Sequence, residues 1–175
     1  MIMEREVRSN KTKSMVKMAI MIAMVYLATF FIKIPSINGY THLGDCMIFL
    51  SVLILGTKRG AVAGGIGAAL SDYLGGYMMW VIPTFFIKAL MELVMGIFAE
   101  TVLTNWSFGW IIGAVVGGIV QIIGYTLVKF PLFGMAVGLT ELPMLTLQTV
   151  SGVVIAAVLV SLLKESGIIK RMKEF

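Results

Sequence analysis

The chain has 175 residues, of which 59% are hydrophobic and only 13% charged, with a net charge of +5. A chain this short has too little interior to hide that much apolar side chain, so a soluble globular fold is excluded and lipid must cover much of the outside. The basic residues fall between apolar runs, not along one face with interleaved aromatics, which argues against a nucleic-acid partner.

In chain order, residues 1–14 form a polar, basic segment, and the first apolar run follows at about 15–32. That run is longer than the core of a secretory signal and lacks a small-residue cleavage site, so it reads as a retained span. Further apolar runs lie at about 43–55, 60–79, 81–99, 106–130 and 141–163, and 164–175 is a second basic tail. Most approach the roughly 20 residues that cross about 30 Å of hydrocarbon as a helix. The second is short. One domain of six transmembrane helices, all-α, is therefore predicted over 15–163.

Cytoplasmic loops of membrane proteins hold the excess of Lys and Arg. With six spans, one side carries Arg5, Arg8, Lys11, Lys13, Lys17, Lys58, Arg59, Lys164, Lys170, Arg171 and Lys173, and the other only Lys33 and Lys129. Both termini are accordingly expected in the cytoplasm. Small residues recur at helical spacing, at Gly56, Gly60 and Gly64, at Gly113 and Gly117, and at Gly134 and Gly138. In lipid, such seams let helix backbones approach closely, and a seam can also make room for a ligand.

Ionisable side chains at membrane depth are costly unless paired or solvated, which marks Asp72 and Lys88. In a six-span arrangement both fall roughly 10 Å below the outer boundary, where they can meet as an ion pair. Glu92 shares the Lys88 face one turn deeper, and the three are expected to line one polar cavity. The plainer alternative is that the pair only locks two helices together. On the fifth span Gln121, Tyr125 and Lys129 recur every fourth residue as a stripe that should face inward, and Gln148 offers a similar group on the sixth.

The segment from Ile34 to Asp45 is the most polar stretch on the outer side, with Asn38 and His42 able to meet a ligand. It reads as a lid over an outward-facing cavity, or as a connecting loop. Tyr73, Tyr77, Trp80, Trp106 and Trp110 cluster where spans should end, as interfacial aromatics do, and Tyr77 and Trp80 are placed to stack on a ring. His42 is the only histidine and Cys46 the only cysteine, so neither a metal site nor an internal disulfide is expected. No phosphate-cradling GxxxxGK[ST] loop and no nucleophile–base–acid constellation occurs, which argues against an enzyme.

The spacing Ala19-x-x-x-Ala23 in a first span behind a basic N-terminus, with six spans in a small chain, resembles the substrate-binding S components of energy-coupling factor (ECF) transporters. Gly39-Tyr40-Thr41-His42-Leu43-Gly44-Asp45, Leu55-Gly56-Thr57-Lys58-Arg59-Gly60-Ala61, Gly64-Gly65-Ile66-Gly67, Ala69-Leu70-Ser71-Asp72 and Phe86-Ile87-Lys88-Ala89-Leu90 are similar to the hydroxymethylpyrimidine or pyridoxine group of that family. The resemblance implies a high-affinity vitamin site near the outer face and no cofactor. It also implies a T component docked on Ala19 and Ala23, two ABC ATPases that drive it, and toppling of the S component in the plasma membrane of a prokaryote. Asn38, His42, Tyr77, Trp80, Lys88, Glu92, Gln121, Tyr125 and Gln148 lie in the regions that would line the site. Riboflavin or pantothenate as ligand, and a non-transporting membrane scaffold subunit, are the alternatives.

Overall fold

A computed structural model describes residues 2–36, 39–169 and 171, with the side chains of 2–10, 36 and 39 left aside. Asn38 lies outside the described residues. The chain runs through α1 (Ile2–Phe31), β1 (Lys33–Ser36), β2 (Gly39–His42), α2 (Asp45–Leu55) and α3 (Thr57–Leu74). A short turn at Met78–Trp80 then leads into α4 (Val81–Ile97), a wider turn at Phe98–Val102, α5 (Gly109–Phe133), α6 (Met135–Thr140) and α7 (Leu142–Glu165). Lys11–Phe31, Met78–Val102, Gly109–Phe133 and Met135–Glu165 are long and apolar enough to cross a bilayer. At 11 residues, α2 rises only about 16 Å.

The polar segment after α1 is not an irregular loop. β1 and β2 pair antiparallel, with Lys33 opposite His42 and Ser36 opposite Gly39. The last apolar run, expected at about 141–163, becomes α7, and a short helix precedes it. Gly134, at φ +88°, breaks the chain after α5, and the short α6 precedes α7. A left-handed φ is free of steric cost only for glycine.

Glycines set how the helices pack. An added Cβ at Gly60 would lie 2.7 Å from the Val52 backbone of α2, at Gly64 2.2 Å from the Glu92 carboxylate of α4, and at Gly67 2.8 Å from the Ile22 carbonyl of α1. Three neighbours therefore press on α3 from three sides. On α5, Gly113 and Gly117 sit against the carbonyls of Met95 and Met91 of α4, while Gly118 meets Thr149 of α7. Gly152 of α7 in turn receives Asp45 of α2. These are the close approaches by which helices associate when lipid removes any hydrophobic drive between them.

The outward faces are apolar. Ile112, Val115, Ile119, Ile123 and Leu127 form one exposed stripe on α5, and Leu147, Val150, Val154, Val158 and Leu162 another on α7. Each recurs every three or four residues, as one face of a helix requires. The shortest of the six helices that build the core, α2, is instead enclosed, with Ile48, Phe49 and Val52 at the centre.

Gly67→Val is expected to lower the unfolding midpoint in detergent, because α1 must move off α3. Overpacking of this kind costs about 1–3 kcal/mol. Leu70→Ala, on the exposed face of the same helix, should leave the midpoint within error of the parent, as followed by thermal unfolding with size-exclusion chromatography.

Candidate functional site

A narrow cavity opens at the hairpin end of the bundle. The hairpin supplies Tyr40, Thr41 and His42, α3 supplies Asp72, and the turn before α4 supplies Trp80. Thr84 comes from α4, Tyr125 and Lys129 from α5, and Glu141, Leu145 and Gln148 from the start of α7 and the residue before it. The residues converge because α1, α3, α5 and the hairpin all end here, while α2, α4 and α7 begin here.

Directly beyond the cavity lies a buried polar cluster. Lys88 Nζ is 2.5 Å from Asp45 Oδ1, and neither side chain is exposed. Lys88 also donates to Gln121 Oε1. Gln121 Nε2 donates to Asp45 Oδ2 at 2.9 Å and lies 3.0 Å from Thr149 Oγ1, and Gln148 Nε2 reaches Asp45 Oδ2 at 3.1 Å. An ion pair removed from water is tolerated when its remaining lone pairs and protons are satisfied in this way. Gln148 belongs to both groups, since it also lines the cavity.

This corrects the expected Asp72–Lys88 pair. Lys88 takes Asp45, because the hairpin occupies the end of the bundle and starts the short α2 at the depth of Lys88. Asp72 instead accepts from the Tyr40 hydroxyl at 2.5 Å. Glu92 does lie one turn beyond Lys88, but Ser51 Oγ donates to it at 2.6 Å and Gly64 packs against it, so it is part of the helix core and not of the cavity wall. The expectation that Asp72, Lys88 and Glu92 line one cavity fails for the same reason.

The hairpin is fastened at several points. Lys33 Nζ lies 4.2 Å from the centre of the Tyr40 ring and 4.4 Å from that of Phe30, and it reaches the Ser71 carbonyl at 3.4 Å. Such cation–ring contacts contribute about 0.5–2 kcal/mol each. Burial, then the charge of Asp72, raise the Tyr40 pKa well above that of an ordinary phenol, so its hydroxyl stays a donor. Tyr77 stands beside Tyr40, ring centres 4.7 Å apart, and does not line the cavity.

The Gly44 amide donates to His42 Nδ1 at 3.1 Å, which requires a neutral ring with its proton on Nε2. Burial, followed by the positive charge of Lys88, pushes the His42 pKa down to about 3. Trp80 lies against Phe133 with ring centres 6.2 Å apart and against Tyr125 at 5.9 Å. Lys129 and Glu141 form an ion pair at the cavity edge, and the Lys129 ammonium stands 5.6 Å from the Trp80 ring centre.

Of the residues expected at the site, His42, Trp80, Tyr125 and Gln148 line the cavity, Lys88 and Gln121 form the cluster beyond it, and Tyr77 and Glu92 lie apart from both. Tyr40, Thr41, Thr84, Glu141 and Leu145 were not singled out. Tyr40 was missed because a lone tyrosine in a loop carries no periodic signal; once the hairpin is recognised, its alternation with Thr41 becomes informative.

The arrangement defines a membrane-embedded binding protein, with polar and aromatic groups gathered at one end of a lipid-covered helix bundle. Residues 9–165 match the family described as ECF-type riboflavin transporter, S component, and the chain belongs to that family. The family is a transporter component, not an enzyme class. An uncharacterized protein in the gap 3′ region of Pyrococcus woesei is 37% identical over 134 residues, covering 77% of this chain and 88% of that one.

Two outcomes follow from this geometry. Lys88→Met should destabilise the protein by about 3–5 kcal/mol, because it strands Asp45 as an unpaired buried charge. Adding Asp45→Asn should restore at least half of that loss in a double-mutant cycle by denaturant unfolding in detergent; strictly additive losses would show that the two side chains do not act as a pair.

For His42 the unfolded state takes up a proton below the ordinary value of 6.5 while the folded state does so only near 3. Stability from this residue is therefore complete above pH 6.5 and falls as the pH drops toward 3, by about 1.4 kcal/mol per pH unit at most. His42→Gln should flatten the difference in unfolding midpoint between pH 7 and pH 5. An unchanged profile would place the loss on other groups.

Proposed function

We propose that this chain is the substrate-binding subunit of an ECF-type importer in the plasma membrane of a prokaryote, taking up a small water-soluble vitamin or vitamin precursor. The observation that carries the reading is the cavity at the hairpin end, where Tyr40, Trp80 and Tyr125 offer ring faces and His42, Asp72 and Gln148 offer hydrogen-bonding groups.

Six membrane crossings with both termini in the cytoplasm place the hairpin and cavity at the outer face, with α2 and α3 as the two crossings less evident by length and composition. Ala19 and Ala23 are exposed on the same outward face of α1 as Ile20, Met24 and Leu27, which suits docking of a T component driven by two ABC ATPases. Toppling of the bundle in the membrane then carries the ligand inward.

Pyridoxine or hydroxymethylpyrimidine is the favoured ligand, as a single ring with polar substituents matches aromatic walls and dispersed hydrogen-bonding groups. Riboflavin is the second reading, favoured by the description of the matching family. Isothermal titration of the purified protein with pyridoxine, hydroxymethylpyrimidine, riboflavin and pantothenate decides between them. One of the first two should bind at micromolar concentration or below. Riboflavin binding alone would change the ligand and keep the class, and no binding across the set would overturn the importer reading.

A further inference from the structure

We propose that Asp72 is the residue that selects the ligand, and that the substrate is an unphosphorylated nitrogen heterocycle presenting an N–H donor to Asp72 Oδ2. The inference rests on the cavity being the substrate site.

Three carboxylates lie in or next to the cavity, and two are matched. Asp45 is paired by Lys88 and Glu141 by Lys129. Asp72 lines the cavity at 3% exposure and has no ion-pair partner among the described residues. Its Oδ1 is held by the Tyr40 hydroxyl, and the Thr84 side chain and the Lys33 charge lie near the carboxylate, while the buried Oδ2 makes no hydrogen bond within 3.5 Å. A buried carboxylate oxygen left unmatched is costly, and the cost disappears when a bound molecule supplies the donor.

The surroundings narrow the donor to a ring edge. Tyr40, Trp80 and Tyr125 border the same space, so ring faces stand beside the carboxylate. Lys33, the cation standing behind Tyr40, is held over the rings of Phe30, Tyr40 and Tyr77 and by the Ser71 carbonyl, outside the cavity lining. A phosphate group would meet Asp72 and Glu141, while Lys129, the cation lining the cavity, is already engaged with Glu141. An amino-substituted or protonated heterocycle meets an acceptor oriented by Tyr40, so ligand and hairpin converge on one side chain.

The test is calorimetric titration of the full chain, wild type and Asp72→Asn, with hydroxymethylpyrimidine, pyridoxine and riboflavin and with the phosphate ester of each. Wild type should bind at least one free vitamin and bind its phosphate ester at least tenfold more weakly. Asp72→Asn should weaken the free vitamin by about 10- to 100-fold, the range for a hydrogen bond to a charged group. A measurement on the unaltered protein guards against a variant that does not fold: the analogue of hydroxymethylpyrimidine lacking its amino group should bind at least tenfold more weakly than the parent if the parent binds. A vitamin that binds wild type and Asp72→Asn within threefold, or a phosphate ester that binds as tightly as its vitamin, overturns the inference and leaves the substrate-site reading in place. Failure of every vitamin to bind wild type overturns both.

Discussion

The structure depends on one buried ion pair. Asp45 and Lys88 meet with no exposure to solvent, and the amides of Gln121 and Gln148 take up the remaining hydrogen bonds. Either charge alone in a lipid-covered bundle is prohibitive, so the two must be formed together. Because Asp45 opens α2, Lys88 sits within α4, Gln121 within α5 and Gln148 within α7, satisfying the pair fixes the relative depth of four helices. It also fixes the hairpin, since Asp45 follows His42 by three residues.

The rest of the fold divides between inward seams and outward stripes. Glycines at 60, 64, 67, 113 and 117 bring backbones together, which makes the bundle rigid without needing large buried side chains. Leucine, isoleucine and valine on the far sides of α5 and α7 are left for lipid. Among the described residues three buried side-chain oxygens lack a partner, Thr29 Oγ1 and Glu92 Oε2 within the bundle and Asp72 Oδ2 at the cavity, where aromatic rings border it.

The hairpin connects scaffold and cavity. Tyr40 joins it to α3 through Asp72, Lys33 joins it through the rings of Phe30, Tyr40 and Tyr77, and the Gly44 amide fixes the tautomer of His42. None of these contacts crosses more than one helix end.

The amino-acid sequence by itself determined the lipid-covered helical class, the apolar runs that become the long helices, and the glycine seams at Gly60 and Gly64 and at Gly113 and Gly117, whereas Gly134, expected in a third seam, meets no neighbour and ends α5. These follow from composition and periodicity, which act locally and survive any arrangement of the helices. It also marked Lys88, Gln121, Tyr125 and Gln148 as groups that must face inward, because a polar side chain toward acyl chains is too costly. Only the tertiary structure decided which charges pair. Asp72 and Asp45 were equally available to Lys88 on chemical grounds, and the choice turned on how deep the hairpin lets α2 begin, a distance set by contacts between segments far apart in the chain.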